Sequence, residues 1–313
     1  MSAPVTVQTA TASPNTPHRG APSRGPSRDQ LQTRLFGIGR WVVIVLAVVV
    51  TVLPFYYMFL LSLRPIEEVL LRPGSLFLSA KEVTVSTYAK VLASTSRGGQ
   101  GFLAFLRNSL FVALVTVAFT LLAAIPGSYA IARLRFAGSR WISFLFLAVY
   151  LFPPMVLAIP LFTGFTLLGL RGSLLGLAVV YIAQTVPVAI YMLRGYFATI
   201  PASLEEAAVI DGCSRYQVIT KISLPLALPS VMSTALYVFM IAWNEFLFAL
   251  LFLVENRNRW TVSLGLSQLS GSIEVPTTIL MAGSIVITIP VIILFFVAEK
   301  ALVEGLTAGA EKG

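Results

Sequence analysis

The sequence predicts an all-α integral membrane protein with six transmembrane helices. Only 11% of its 313 residues are charged, and 57% are hydrophobic, whereas a soluble domain carries about 25% charged residues. A helix needs about 20 apolar residues to cross a hydrocarbon core that is roughly 30 Å thick. Six uncharged runs reach that length, too many for the core of a soluble protein of this size: 41–63, 108–132, 141–170, 172–193, 222–244 and 275–298.

The first helix is predicted over residues 41–63 and follows a polar segment, 1–34, that is rich in Pro, Ser, Thr and Arg. Such a composition buries too little apolar surface to fold, so we expect a disordered cytoplasmic tail. A cleaved signal peptide fits poorly, because the apolar region of a signal peptide spans roughly 7–15 residues, whereas the apolar run 41–63 spans 23. Residues 64–107 are predicted to be a loop with a short helix around Thr87–Ala93, and the second membrane helix to run from Asn108 to Ala132.

The third membrane helix, from Trp141, is interrupted by Pro153, Pro154 and Pro160. Proline removes a backbone hydrogen bond, and in lipid such a break persists only where protein or a wet cavity satisfies the freed groups. We therefore expect this helix to face its neighbours. The later elements are predicted as a fourth helix over 173–193, a polar segment over 194–226, a fifth helix from Pro229 to Val254, a loop over 255–274 and a sixth helix over 278–298.

The net charge of +9 reflects arginines that flank the membrane helices, and we do not attribute it to nucleic-acid binding. Basic residues concentrate on the cytoplasmic side of membrane proteins. Placing both termini in the cytoplasm also puts 133–140 and 194–226 there, and leaves 64–107, 165–172 and 255–274 outside. This arrangement gives a modest cytoplasmic excess of basic residues, so a plasma-membrane, multi-pass protein with cytoplasmic termini is predicted.

The single cysteine, Cys213, and the single histidine, His18, exclude several kinds of site within one chain. An internal disulfide, a cysteine metal cluster, a histidine-dependent catalytic triad and a zinc–histidine site each require more of these residues. We therefore predict no catalytic residues and no metal site.

The polar segment 194–226 has the local signals of a helix–turn–helix. Ser203 followed by Glu206 has the spacing of a capping box, which predicts that a helix begins there. Asp211 and Gly212 form a stop signal, and a second short helix is predicted over Arg215–Ile222. These signals alone fit an ordinary loop helix as well as they fit a helix with a function of its own.

The spacing of this segment resembles the EAA motif of importer-type ABC permeases. In that family the motif forms a short cytoplasmic coupling helix that sits in a cleft of the ATPase subunit. The resemblance implies this role for Glu206, Ala207, Ala208, Asp211, Gly212, Ile222, Leu224 and Pro225.

Four other stretches are similar to the smaller, six-helix permease of maltose-type carbohydrate importers: Asn108-Ser109, Arg133–Gly138, Ala242–Leu247 and Gly305–Gly313. The resemblance covers roughly 35–313 and implies one permease domain that forms half of a path for a disaccharide, oligosaccharide or related sugar. It implies four kinds of partner: a second homologous permease, an ATPase dimer, an extracytoplasmic solute-binding protein and the sugar. The chain has no phosphate-binding G-x-x-x-x-G-K-[ST] loop, so ATP and Mg²⁺ are expected on the partner ATPase and no cofactor on this chain.

Glu245 is a charged residue within the otherwise apolar fifth helix. An intramembrane charge usually faces a cavity or a partner, and sugars are bound by carboxylates, amides and aromatic faces. Glu245, with Asn244 and Trp243, is therefore a possible part of the translocation path. A position about 24 Å along the helix also fits a residue that reaches the external interface.

The sequence also bears on two other classes of function. A secondary transporter or channel would couple to an ion gradient through intramembrane ionisable groups, and Glu245 is the only candidate that the membrane helices offer. A membrane-embedded enzyme has no support in the sequence.

Overall fold

The computed structural model describes residues 28–79, 82–134 and 136–310, with side-chain burial for 36–79, 82–134 and 136–299. Within these ranges the chain forms fourteen α-helices and no strand. The helices are α1 (Arg28–Ser62), α2 (Ile66–Leu71), α3 (Ser86–Leu92), α4 (Phe102–Arg133), α5 (Ser139–Leu151), α6 (Pro154–Leu167), α7 (Leu174–Thr199), α8 (Ala202–Ile210), α9 (Arg215–Val218), α10 (Leu224–Leu226), α11 (Leu228–Asn244), α12 (Leu247–Leu253), α13 (Val262–Ser270) and α14 (Thr277–Ala310).

The chain divides into two compact units, Met1–Pro54 and Phe55–Gly313. In the first unit, the described residues form the initial part of α1. The second unit contains the end of α1 and all later helices.

Four helices are long and apolar enough to cross a membrane as single rods: α1, α4, α7 and α14. Two bent pairs raise the number of possible spans among the described residues to six. The pair α5 and α6 bends by 92°, and the pair formed by Arg215–Leu226 and α11 bends by 76°. The all-α fold with up to six spans agrees with the prediction, and the first bend lies at Pro153, one of the prolines expected to interrupt the third helix. The expectation that this helix faces its neighbours is wrong within this chain, because α5 has no buried residue and α6 buries only Ala158.

Several predicted boundaries are wrong. The first helix begins at Arg28 instead of residue 41, and residues 1–27 of the predicted tail lie outside the described residues. The predicted fifth helix is two helices, because α11 ends at Asn244. The predicted loop 255–274 contains α13, and the sixth helix extends to Ala310. The short helix around Thr87–Ala93 is confirmed as α3.

The core of the second unit is built around α4 and α7, which pack along much of their length. Thr120 and Thr185 meet between them at 2.7 Å, and both are buried, so each hydroxyl has the partner that a buried polar group needs. Nearby, Gly127 lets Ile190 approach the α4 backbone. Larger side chains fill the space between these helices and α11, α13 and α14, with Phe102, Phe105, Tyr181 and Trp243 fully buried.

The glycines of α13 and α14 provide space for two buried phenylalanine rings. A Cβ atom on Gly283 would lie 2.6 Å from Cζ of Phe102, and one on Gly265 would overlap the ring of Phe105. Neither ring has free space around it, since both are buried. These glycines therefore set how closely α13 and α14 approach α4.

Replacing Gly283 with alanine is expected to destabilise the protein by about 1–3 kcal/mol, the usual cost of overpacking a core. The measurement is the midpoint of thermal unfolding in detergent. Gly164→Ala is the matched control, because a Cβ there meets nothing within 4 Å and alanine favours a helix over glycine. Equal midpoints for the two variants would contradict this account of the packing.

The loops separate to two ends of the helical unit. At the end that carries α8, hereafter the α8 end, Arg133 of α4 donates to the carbonyl of Ile200 after α7. At the opposite end, Asn108 donates to the carbonyl of Asn258 at 2.8 Å. The predicted internal loops thus share one end and the predicted external loops share the other. Two further contacts tie the opposite end together: Arg171 with Glu255, and Arg259 with Gly172.

Candidate functional site

The helix α8 begins and ends by different signals. Pro201 occupies its N-cap position, and no side chain caps it there. The predicted capping box of Ser203 and Glu206 is therefore wrong, since both residues already lie inside the helix. At the other end, Gly212 adopts a φ of +87°, the left-handed conformation that commonly ends helices.

A capping box does form at the start of α9, where sequence analysis did not place one. The Gln217 N–H donates to the Ser214 hydroxyl at 3.3 Å, and the Ser214 N–H donates to the Gln217 side chain at 2.8 Å. Pro201 has no N–H of its own, so the reciprocal half of a capping box, in which a side chain accepts the N-cap N–H, cannot form at the start of α8. The segment is thus a helix–turn–helix, as predicted, with different caps.

The two faces of α8 differ in chemistry. Glu205 and Ala208, three residues apart, share the inner face; Ala208 is buried and Glu205 is half-buried. Residues with this spacing lie one above the other along a helix. Glu206 lies on the exposed face with Val209 and Ile210, and the Ile210 side chain is 85% exposed. An exposed isoleucine beside polar groups marks a surface that a partner can cover.

Glu205 links α8 to the membrane helices through three side chains. Its Oε1 lies 3.3 Å from Nε of Arg133, and these side chains are 13% and 15% exposed. The Tyr129 hydroxyl donates to Oε2 at 3.1 Å, and the Ser223 hydroxyl donates to Oε1 at 2.9 Å. We call this the Glu205 cluster, and it comprises Glu205, Arg133, Tyr129 and Ser223. Because Arg133 and Tyr129 belong to α4, the carboxylate fastens α8 to the end of a membrane helix.

The backbone around the cluster is shaped to bring Ser223 to the carboxylate. Residues Ile219–Ser223 form a π-helical turn between α9 and α10. This turn ends two residues before Pro225, which cannot donate a backbone hydrogen bond. π-helical turns of this kind are often found at functional sites. The Tyr196 hydroxyl, on α7, donates to the carbonyl of Leu226 at 2.9 Å, so α7 also holds this segment.

The residues of the predicted coupling motif lie together on α8–α10, but they do not share one environment. Glu206, Ala207, Asp211, Gly212 and Pro225 are exposed, Ala208 is buried, and Ile222 and Leu224 are half-buried. No anchoring role was predicted for Glu205, Tyr129 or Ser223. One signal in the sequence could have indicated this contact. Arg133 lies at the end of an apolar helix, where its charge favours a carboxylate partner, and the polar segment offers two neighbouring carboxylates, Glu205 and Glu206.

Glu245 occupies the break between α11 and α12. Its carboxylate accepts the N–H groups of Phe248 at 2.9 Å and Ala249 at 3.2 Å, and the hydroxyl of Tyr181. The N–H groups of a first helical turn have no partner within the helix, so Glu245 supplies acceptors for α12. The backbone carbonyl of Glu245 also accepts the Ser263 hydroxyl at 2.6 Å.

Trp243 and Asn244 face different surroundings. Trp243 is 1% exposed and stacks on Phe239 with ring centroids 5.2 Å apart; its Nε1 has no hydrogen-bond partner among the described residues. Asn244 is exposed, and its Nδ2 donates to the carbonyl of Met240 at 2.9 Å. Both residues line a cavity of about 480 Å³ between α11, α13 and α14, whose other polar lining residues are Ser263, Ser267, Ser270 and Ser284.

Replacing Glu245 with alanine is expected to lower stability by about 2–3 kcal/mol. It removes the acceptor of two backbone donors and leaves the buried Tyr181 hydroxyl unpaired. The measurement is the thermal unfolding midpoint in detergent, and Glu245→Gln, which keeps one carbonyl oxygen, should lose less. An unchanged unfolding midpoint for Glu245→Ala would contradict the anchoring role.

Comparison with known proteins identifies the family. Residues 120–306 match the model of the binding-protein-dependent transport system inner membrane component family. The inner membrane ABC transporter permease protein YcjP of Escherichia coli is 36% identical over 277 residues, covering 88% of this chain and 96% of YcjP. The trehalose/maltose transport system permease protein MalG of Thermococcus litoralis is also 36% identical, over 86% of this chain and 94% of MalG.

A solved structure supports the fold independently. A bacterial ABC transporter involved in the import of the acidic polysaccharide alginate matches with a TM-score of 0.72 and 24% identity, covering 89% of this chain and 99% of the matched chain. The family match, the curated relatives and the apolar helices together show a multi-pass inner membrane protein. The chain belongs to the family of binding-protein-dependent transport system inner membrane components, as a permease subunit of an ATP-binding-cassette importer.

Proposed function

We propose that the chain forms half of a sugar path and is driven by a separate ATPase that docks on α8. A disaccharide is the substrate class that we favour, because the relatives at 36% identity include permeases named for trehalose/maltose and for trehalose. A second permease, an ATPase dimer and a solute-binding protein complete the proposed assembly. The Glu205 cluster is the observation that carries the proposal.

That cluster gives α8 the two properties that a force-transmitting element needs. Its outer face presents Glu206, Val209 and Ile210 to a partner, and its inner face is fixed to α4 by Glu205. A rigid helix that is bound to α4 on one face and to a partner on the other moves as a single rigid unit. Movement of the ATPase would therefore reach α4 directly and α7 through the Tyr196 bond.

The orientation follows from this role. ATP is used in the cytoplasm, so the α8 end is the cytoplasmic end, and the loops of the opposite end face outward. Arg133, Arg140 and Arg194 lie at the α8 end, in agreement with the excess of basic residues on the cytoplasmic side of membrane proteins.

The sugar path is proposed to include the cavity beside Asn244 and Trp243. The lining of this cavity includes the side-chain amide of Asn244 and the hydroxyls of Ser263, Ser267, Ser270 and Ser284. Polar side chains on an otherwise apolar wall suit the hydroxyl groups and apolar faces of a sugar. Glu245 holds one part of this wall, because its backbone carbonyl accepts the hydroxyl of the lining residue Ser263.

Replacing Ser267 with tryptophan is expected to fill this cavity. Sugar uptake should then fall about ten-fold or more, equivalent to about 1.4 kcal/mol. Uptake is measured in proteoliposomes that hold the assembled transporter. Ser96→Trp, in an exposed turn of the opposite end, is the control. Undiminished uptake by Ser267→Trp would place the path elsewhere.

The whole proposal is tested by reconstitution. Liposomes receive the purified chain alone, or the chain with its partner permease, ATPase and binding protein, and labelled trehalose or maltose is supplied. We expect uptake only by the complete assembly and only with Mg-ATP. Gradient-driven uptake by the chain alone would overturn the proposal and establish the alternative, an autonomous secondary transporter or channel.

A further inference from the structure

An open groove of about 1550 Å³ lies at the α8 end, between α8, the end of α4, the start of α5 and Arg194 of α7. Its lining includes six charged residues: Arg133, Arg140, Arg194, Arg215, Glu205 and Glu206. Arg133 and Glu205 neutralise each other. The other three arginines form no ion pair with any described residue, and Glu206 alone offsets them. We call this groove at the α8 end the arginine groove, and the net charge of its lining is positive.

The neighbouring surface places this groove at the depth of lipid headgroups. Trp141, next to Arg140 in the first turn of α5, is 77% exposed and meets Phe144 edge-on at 6.4 Å. Exposed tryptophans collect at the boundary between headgroups and hydrocarbon. Beyond Trp141, α5 is apolar and has no buried residue. A charged groove therefore continues directly into an exposed apolar helix face.

We propose that the arginine groove binds the anionic headgroup of a membrane phospholipid whose acyl chains lie along the exposed face of α5. Arg140, Arg194 and Arg215 supply the positive charge, and a guanidinium pairs with phosphate through two parallel hydrogen bonds. The first turn of α5 adds backbone N–H groups that have no partner within the helix. The proposal does not depend on which sugar is carried.

A phospholipid fits the surface better than the other anionic candidates. Free phosphate would use the arginines but leave the apolar face of α5 without a role. An acidic ATPase surface would reach the rim formed by Val209 and Ile210, but the face of α5 below Trp141 lies among the membrane-spanning helices. Of these three candidates, an amphiphile with a negative head and apolar tails matches both parts.

The test counts lipids on the assembled complex. The complex is purified into nanodiscs of phosphatidylcholine mixed with phosphatidylglycerol, and bound lipid is measured by native mass spectrometry. We expect selective retention of phosphatidylglycerol. Arg140→Gln, Arg194→Gln and Arg215→Gln should each weaken it about five-fold, the contribution of one basic residue near an anionic surface. Arg107→Gln, exposed at the opposite end of α4, should retain the lipid as the unmodified complex does.

Three outcomes would overturn the proposal. Equal retention of phosphatidylglycerol by the groove variants and Arg107→Gln would remove the arginines from lipid binding. Displacement of the lipid by millimolar inorganic phosphate would assign the groove to a soluble anion. Retention of phosphatidylglycerol by the permeases purified without the ATPase, but not by the complete complex, would assign the groove to the protein partner.

Discussion

Replacing Ile210 with glutamate is expected to detach the ATPase subunit while leaving the membrane fold intact. The Ile210 side chain is 85% exposed on the outer face of α8, so the substitution breaks no packing within the chain. At a docked interface the new carboxylate would lose its water without gaining a partner. Central apolar anchors of interfaces contribute about 2 kcal/mol or more, so affinity for the ATPase should fall at least about 30-fold.

The measurement is the dissociation constant between the purified permease and its ATPase in detergent. Ile273→Glu is the matched control: Ile273 is fully exposed in the connection between α13 and α14 at the opposite end, and the same substitution there should leave docking unchanged. Both variants should unfold at the temperature of the unmodified chain. Undiminished binding by Ile210→Glu would show that the outer face of α8 is not the docking surface.

The spans and the α8 segment were predictable because their signals are local. A long uncharged run specifies a membrane helix by its own composition. The spacing from Glu206 to Pro225 specifies a short helix, a turn and a second helix without reference to the rest of the chain. In the same way, Pro153 marked the bend between α5 and α6.

The break between α11 and α12 had no such local signal. No proline or glycine lies near Glu245, and the sequence continues as an apolar run on both sides. The break is stabilised by groups that are distant in sequence: Tyr181 on the carboxylate and Ser263 on the backbone carbonyl. Tertiary contacts of this kind override helix propensity, and a pattern within one segment cannot reveal them.

The Glu205 cluster shows the same limit in the functional region. Both carboxylates of the Glu205-Glu206 pair fit the first turn of a helix, and the sequence does not say which one points inward. The choice is made by Arg133, which lies at the end of α4 and contacts Glu205. The position of the end of α4 thus determines which carboxylate anchors α8, whereas the local sequence determines the docking face.

Replacing Glu205 with alanine is expected to uncouple ATP hydrolysis from transport. The outer face of α8 remains, so the ATPase still docks and hydrolyses ATP, but α8 is no longer fastened to α4. Coupling free energies between distant sites are about 1–3 kcal/mol, so the sugar transported per ATP should fall about ten-fold. Tyr129→Phe and Ser223→Ala each remove one hydrogen bond to the carboxylate and should have smaller effects.

Stability is separated from transmission by a double variant. Glu205→Ala leaves Arg133 without its partner, and breaking a buried ion pair costs about 3 kcal/mol, so the single variant should also unfold at a lower temperature. Arg133→Met combined with Glu205→Met removes both charges, and such apolar replacements are often neutral. We expect this double variant to recover part of the lost unfolding temperature, since it still lacks the bond from Arg133 to the carbonyl of Ile200. It should not recover the transport per ATP, because an apolar contact lacks the directed bonds from Tyr129 and Ser223. Recovery of both would reduce the Glu205 cluster to a structural contact, and α8 would then have to transmit movement through the α7–α10 bond of Tyr196 alone.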